Sequence, residues 1–387
     1  MNTSVSNLSA VVCCAIGVVF AAGASTNSHA AQPAVPRWRG SIDLTLGGDA
    51  TSSGADFARV TGIAVDPAGR IFVADGEDQQ IRVFSATGTA LPSIGRKGSG
   101  PMEFKRLAAI AFGPDGKLWT RDEGNARLAL LDVAKAPPTL SRVIPMKQFT
   151  GGSRWPITFE REGQVIDESI WFDKTVDAFR PLRLRISNTG DVLRVDTLVV
   201  PPGAFAGEHN ATKVQKDAAG TVIGMSSRRY AQPHGPKWLR AYGPNGMRAD
   251  AVGSSYAVRI YDGNGRLVRT IAREVPPVPL SARERKLADS TIDAIKVDVP
   301  FGVPSAKAPI IGILWTQAGE LWVERAMPDG AVREADVYDA KGQRIAVAEW
   351  PRAINLMDPL SVVRGPTAYA PTWNADDLPQ VVRLRFR

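Results

Sequence analysis

The feature that most constrains this 387-residue chain is that it repeats itself. IAVDPAGRIFVAD, from Ile63, matches IAFGPDGKLWTRD, from Ile110, at an offset of 47 (110 − 63), which places Gly69 on Gly116 and Asp75 on Asp122. The match runs on without a gap, IRVF from Ile81 falling on LALL from Leu128. A third copy, IGILWTQAGELWVE at 311–324, places Ile313 on Ile63 and Gly319 on Gly69 at an offset of 250 (313 − 63). PLRLRISNTGDVLRVDTLVV at 181–200 and YAVRIYDGNGRLVRTIARE at 256–274 keep the outer hairpin, with β-branched and aromatic residues on either side of a polar turn that ends in Gly. Strands this short cannot bury themselves, so a fixed period implies modules that stack to share a core.

Each complete copy supplies four strands: GIAVD, RIFVAD, QIRVF and, after the SATG turn, ALPSIG. Four-stranded antiparallel units spaced by roughly 40–50 residues are the pattern of β-propeller blades. The expected fold is therefore all-β, a six-bladed propeller with blades near 59–101, 105–147, 150–200, 236–274, 308–351 and 355–387. The tail GPTAYAPTWNADDLPQVVRLRFR holds about three strands, and WRGSIDLTLGG at 38–48 has no blade of its own; pairing the two completes the C-terminal blade and leaves no open edge. One short inserted helix is expected within 279–295, where Ser281 and Glu284 form a capping box and Leu287, Ala288, Ile292 and Ile295 share a face. The stretch 201–237 does not follow the strand pattern, and such insertions are where binding specificity often resides.

Residues 1–30 carry no Lys, Arg, Asp or Glu, and the apolar run AVVCCAIGVVFAAGA at 10–24 is followed by small residues around SHAA at 28–31. This reads as a signal peptide, leaving 31–387 as one domain, exported to the periplasm or secreted. The run falls short of the ~20 residues a bilayer core requires, so no stable membrane insertion is expected after cleavage. Cys13 and Cys14 are the two cysteines and both lie in this segment, so the mature chain has no thiol chemistry. The net charge of +8 favours anionic partners only weakly.

GIAVDPAGRIFVADGEDQQIRVFSATGTALPSIGRKGSGPMEF, within 59–147, resembles the NHL repeat, and the whole plan resembles exported bacterial six-bladed propellers of NHL or TolB-like type. The resemblance implies fold more than activity. Some NHL propellers bind RNA through a basic face, but with export no nucleic acid partner is expected here. Propeller enzymes of related shape include calcium-dependent lactonases, zinc-dependent amidating lyases and magnesium-dependent lyases. Two histidines beyond His29 are too few for a three-His zinc site, whereas calcium or magnesium needs only oxygen ligands.

The candidate site residues lie on the rim where the connectors enter the inner strands. Arg59 and Arg106 are equivalent at the offset of 47 (106 − 59), with Arg96, Lys97 and Lys105 close by in the first connector. They form either a basic rim that attracts an anionic ligand or solvated loop charges offset by Glu77, Asp78, Asp122 and Glu123. His209 and His234, in the irregular segment, complete the set. Asp66 precedes Pro67 and reads as a turn residue, and Trp119 and Trp322, both on the register of Phe72, read as packing. No catalytic or metal-ligating residue is assigned and no cofactor is required. The expected function is a monomeric, non-catalytic scaffold that binds a protein, peptide or small molecule on its rim; the alternative is a calcium- or magnesium-dependent hydrolase, lactonase or lyase at the central channel.

Overall fold

The computed structural model describes residues 35–48, 56–146, 157–160, 163–173, 178–220 and 222–387. The segment expected to be a signal peptide, with Cys13, Cys14 and His29, lies outside them. Strand β1 (Arg37–Leu46) is followed by two four-stranded antiparallel blades, β2–β5 (Val60–Val65, Ile71–Asp75, Gln80–Phe84, Ala90–Ile94) and β6–β9 (Leu107–Phe112, Leu118–Asp122, Arg127–Asp132, Thr139–Pro145). A third blade is β10–β13 (Thr158–Phe159, Val165–Asp173, Ala178–Ile186, Val192–Thr197). Next come a two-stranded ribbon, β14–β15 (Glu208–Lys216, Val222–Ala231), and a fourth blade, β16–β19 (Trp238–Tyr242, Arg248–Val252, Ala257–Tyr261, Leu267–Ala272). Helix α1 (Ala282–Asp293) precedes β20–β23 (Ile310–Trp315, Leu321–Arg325, Arg333–Tyr338, Arg344–Trp350) and β24–β26 (Val362–Arg364, Thr367–Trp373, Pro379–Phe386). These last seven strands join through β1 into one eight-stranded sheet, β1 running antiparallel to β26 from Gly40↔Phe386 to Leu46↔Val381 and parallel to β23 over Arg37–Arg39.

Burial falls along each sheet in the order a radial blade requires. The second strands β3, β7 and β17 are buried at every residue, so both of their faces are covered, while the fourth strands β5, β9 and β19 are mostly exposed. The hairpins share one turn: in Asp66–Arg70 the Gly69 N–H donates to the Asp66 carbonyl (3.0 Å), and Gly69 takes φ +82°, the left-handed conformation that glycine adopts without strain. The Asp66 side chain serves that turn, accepting from the Arg70 backbone at 2.8 Å and its Nε at 2.7 Å, in keeping with the turn role read from its Pro67 neighbour.

The repeated aromatic packs against a ring of the next sheet, or, for Trp322, against the far half of its own eight-stranded sheet. Phe72 stands edge-on to Phe112 (5.3 Å), Trp119 to Phe159 (5.1 Å) and Trp322 to Phe386 (5.1 Å). Phe112 and Phe159 are themselves 47 apart (159 − 112), which carries the repeat across the boundary between one blade and the next. Each such pair adds roughly 1 kcal/mol beyond its buried area. Between β10–β13 and β16–β19 the contact is ionic instead: Glu168 accepts from Arg240 (3.2 and 3.0 Å) and from the Tyr242 hydroxyl.

A repeated aspartate ties the connector to the blade in the first two blades. Asp75, fully buried, accepts from the backbone N–H groups of Ala58 (2.8 Å), Arg59 (3.1 Å) and Glu77 (3.1 Å); Asp122, 47 residues on (122 − 75), accepts from Lys105 and Arg106 at 3.1 Å each. Asp122 was expected among the rim charges. It is buried, because its carboxylate is needed by backbone donors that have no strand partner.

Two expectations are corrected. Helix α1 has the capping box, Ser281 Oγ accepting from Glu284 N (3.1 Å) and Glu284 Oε2 from Ser281 N (3.0 Å), but Leu287 is 64% exposed. The covered stripe runs through Glu284, Ala288, Ile292 and Ile295, and Leu287 falls off it because Glu284, held by its cap and by Lys307, takes the inward position. The stretch 201–237 is not irregular throughout, since much of it is the β14–β15 ribbon. Two outcomes test this account of the fold. Asp75→Ala and Asp122→Ala should each lower the unfolding free energy by roughly 2–4 kcal/mol in denaturant titrations. Deleting 37–46 should lower the thermal midpoint and produce concentration-dependent association through the bared edge of β26; an unchanged midpoint would overturn the closing role of β1.

Candidate functional site

The connector hydrogen bond that sets the rim recurs in four places. The Arg59, Arg106, Lys237 and Pro309 carbonyls accept from Gly76 (2.8 Å), Glu123 (3.0 Å), Gly253 (3.0 Å) and Ala326 (3.2 Å), the residues just past each second strand. Lys237 is thus the counterpart of Arg59 and Arg106, and Pro309 occupies the same place at the offset of 250 (309 − 59). The same offset places Arg325 where Asp75 would be (325 − 250 = 75). This reversal of charge has a local cause. Pro309 has no N–H, and the Ala308 N–H, equivalent to that of Ala58, donates to the His234 carbonyl (3.0 Å). No aspartate is needed to hold this connector, and an arginine stands there instead.

Arg325 lies on the wall between two adjoining cavities of about 740 and 310 Å³. The larger is enclosed by the β17–β18 loop, the segment after β19, the approach to β20 and the β21–β22 loop. Its cations are Arg273, Lys307 and Arg325, against Glu274, and the rest of its wall is largely apolar, with Val275, Pro276, Pro277 and Met327. Lys307, Arg325, Ala326, Met327 and Pro328 face both cavities.

The cations are held in fixed positions. Buried Asp336 lies 3.2 Å from Arg344 and 3.5 Å from Arg325 Nε, accepts from Arg273, and accepts from the Tyr256 hydroxyl at 2.6 Å; Tyr256 and Tyr338 share a further bond of 2.8 Å. Arg325 also donates to Glu334, which accepts from Arg37 of β1 at 2.6 Å. Of these guanidinium groups Arg273 and Arg325 line the cavity, set against Asp336, Glu334 and the cavity's own Glu274, and these partners remove the side-chain freedom an arginine would otherwise lose on binding. Lys307 donates to Glu284 (2.5 Å) and to the Met327 carbonyl (2.8 Å). Burial pushes the Glu284 carboxyl up, but Lys307 and the Ser281 N–H outweigh it and hold the group below its ordinary range, as an anion.

Of the residues expected on the rim, one reaches this cleft. His234 lines the smaller cavity in the left-handed conformation (φ +58°), whereas His209 stands in β14 opposite Tyr230 and does not line it. Arg59 donates to the Gly76 carbonyl (2.7 Å) and lies 3.8 Å from Glu77, Arg106 pairs with Glu123 at 2.8 Å, and Arg96 pairs with Glu103 at 2.8 Å. Glu103 is held below the usual carboxylate range by the Gly100 N–H and by Arg96. Lys97 and Lys105 are exposed. These cations do not line the cleft; those that do, Arg273, Lys307 and Arg325, were missed. The signal that could have found them was the arginine on the aspartate register of the repeat.

Among the described residues no group of three or more His, Cys, Asp or Glu is placed to hold a metal ion. Among them, too, no helix is long and apolar enough to cross a membrane.

A family model of the NHL repeat matches residues 57–84, the span of β2–β4 in the first blade of the propeller. No curated protein matches the chain. Among solved structures it is similar to a member of the DUF4221 family from Bacteroides vulgatus, at 11% identity and a TM-score of 0.48 over 90% of this chain and 98% of that one. It is also similar to regucalcin, a calcium-binding protein from Agrobacterium tumefaciens, at 13% identity and 0.40 over 92% and 98%, respectively. Virginiamycin B lyase from Staphylococcus aureus is similar at 10% identity and 0.38 over 88% and 98%.

The tyrosines give the site a pH signature. Burial and the charge of Asp336 raise the Tyr256 pKa, burial raises that of Tyr338, and burial with the charge of Glu168 raises that of Tyr242 well above the ordinary value. A phenol with a raised folded pKa contributes its stability in full below the unfolded pKa, near ~10, and loses it as pH rises toward the folded value. In an alkaline titration followed by phenolate absorbance, fewer than the 6 tyrosines should ionise while the fold persists, with the remainder appearing on unfolding.

Proposed function

We propose that this chain is an exported six-bladed propeller that binds, without transforming it, an anionic small molecule with an apolar body in the cleft of Arg273, Lys307 and Arg325. The count of six takes the eight-stranded sheet as two blades, β20–β23 and β24–β26 with β1, added to the four separate ones. Export rests on the apolar segment at 10–24 and the small residues after it. The observation that carries the binding reading is the pair of guanidinium groups, Arg273 and Arg325, that Asp336 holds in place on the wall of a cavity of about 740 Å³ whose remaining walls are largely apolar. A carboxylate would find charge-assisted donors there, and its hydrocarbon part would displace water from prolines.

Octanoate titrated into the purified protein by calorimetry should bind, more weakly as ionic strength rises. Arg273→Gln should weaken it by roughly tenfold or more. Arg96→Gln, on the rim connector, should leave it unchanged. An affinity that follows Arg96 and ignores Arg273, or the absence of octanoate binding, would overturn the reading.

A further inference from the structure

We infer that the ligand is an elongated dianion, with one carboxylate-type group in each cavity and an apolar spacer crossing the wall of Lys307 and Met327; this rests on the anion-binding reading above. The two cavities are not independent, since they share Lys307, Arg325, Ala326, Met327 and Pro328. Each also has cations of its own. Arg273 lines only the larger, while Lys237, Arg333 and Arg352 line only the smaller.

The charges of the smaller cavity differ in how far they are already committed. Arg333 is matched by buried Glu324 at 2.5 and 3.0 Å, and Arg352 by Asp329 at 2.9 Å. Lys237 is exposed and makes no ion pair among the described residues. Its backbone is nevertheless fixed, because its carbonyl holds the Gly253 N–H, and His234 three residues earlier is anchored through its own carbonyl to Ala308. The cavity is lined by two carboxylates, Glu284 and Glu324, but these are engaged by Lys307 and Arg333, so Lys237 stands at its edge on a fixed backbone as a cation with no carboxylate partner among the described residues. On the shared wall, Lys307 has three donors and two described acceptors, Glu284 and the Met327 carbonyl, which leaves one donor for a ligand.

A monoanion in the larger cavity engages Arg273 and Arg325 and leaves Lys237 solvated. A molecule with a second anionic end reaches Lys237 without a second loss of translational freedom, so its affinity exceeds that of the monoanion only when the spacer spans the wall. The surface between the two ends, formed by Ala326, Met327 and Pro328, suits a hydrocarbon spacer better than a polar one.

The test is calorimetry with linear α,ω-dicarboxylates from succinate to sebacate and monocarboxylates of matched length, at fixed ionic strength. Affinity should peak at one chain length and exceed the matched monocarboxylate by roughly tenfold or more. Lys237→Ala, at an exposed position where folding is little affected, should weaken the best dicarboxylate by about tenfold more than the monocarboxylate. Arg273→Gln should weaken both. If monocarboxylates bind but dicarboxylates show no length optimum, or if Lys237→Ala affects the two alike, the dianion is overturned while the anion cleft stands. If neither series binds, both fail.

Discussion

A sheet whose second strand is buried on both sides must find a neighbour for each face, and this requirement governs the molecule. Phe72, Trp119 and Trp322 meet it with one device, an aromatic edge-on to a ring in the adjoining strands. Because the device sits at one register position, each unit presents its neighbour with nearly the same surface, and the units can follow one another without a separate design for each junction. Where the device is missing, between β10–β13 and β16–β19, the Glu168, Arg240 and Tyr242 cluster fills the junction with charge. Such a cluster specifies geometry more than it stabilises, since desolvation opposes the attraction of its charges.

The strands and their order were legible because a period of 47 residues repeats turn chemistry as well as hydrophobicity: Gly69 and Gly116 mark the same left-handed turn, and Asp75 and Asp122 the same buried anchor. Single-sequence periodicity misjudged α1, where Leu287 is apolar yet exposed and Glu284 is charged yet buried. The helix is oriented by Lys307, far along the chain, and no pattern within 279–295 reports that partner. The rim cations Arg59, Arg96 and Arg106 were visible as charge, but their pairing with Glu77, Glu103 and Glu123 is a matter of local loop geometry.

The cleft was legible only as a departure. A connector that begins with Pro309 offers no N–H, its neighbour Ala308 is engaged by His234, and the aspartate that elsewhere ties the connector down has nothing left to accept. The position is thereby released from that duty, and Arg325 instead pairs with Glu334 and Asp336 on the wall between the two cavities. In a repeat protein, then, the informative residue is the one that breaks the repeat at a position whose ordinary role is known. Conserving the rule in two blades is what makes its breach in another readable.

Strand β1 lies between β26 and β23, so residues 346 positions apart in the chain (386 − 40) are hydrogen-bonded partners. Sheets such as β2–β5 can form as soon as their own residues are available, but the ring cannot close until β26 exists to receive β1. Without β26, β1 has only its short parallel pairing with β23 over Arg37–Arg39. Closure therefore joins segments distant along the chain, the kind of pairing whose loop entropy slows folding. Such a seam makes the integrity of the whole ring depend on two strands at once, since loss of either β1 or β26 opens the same gap.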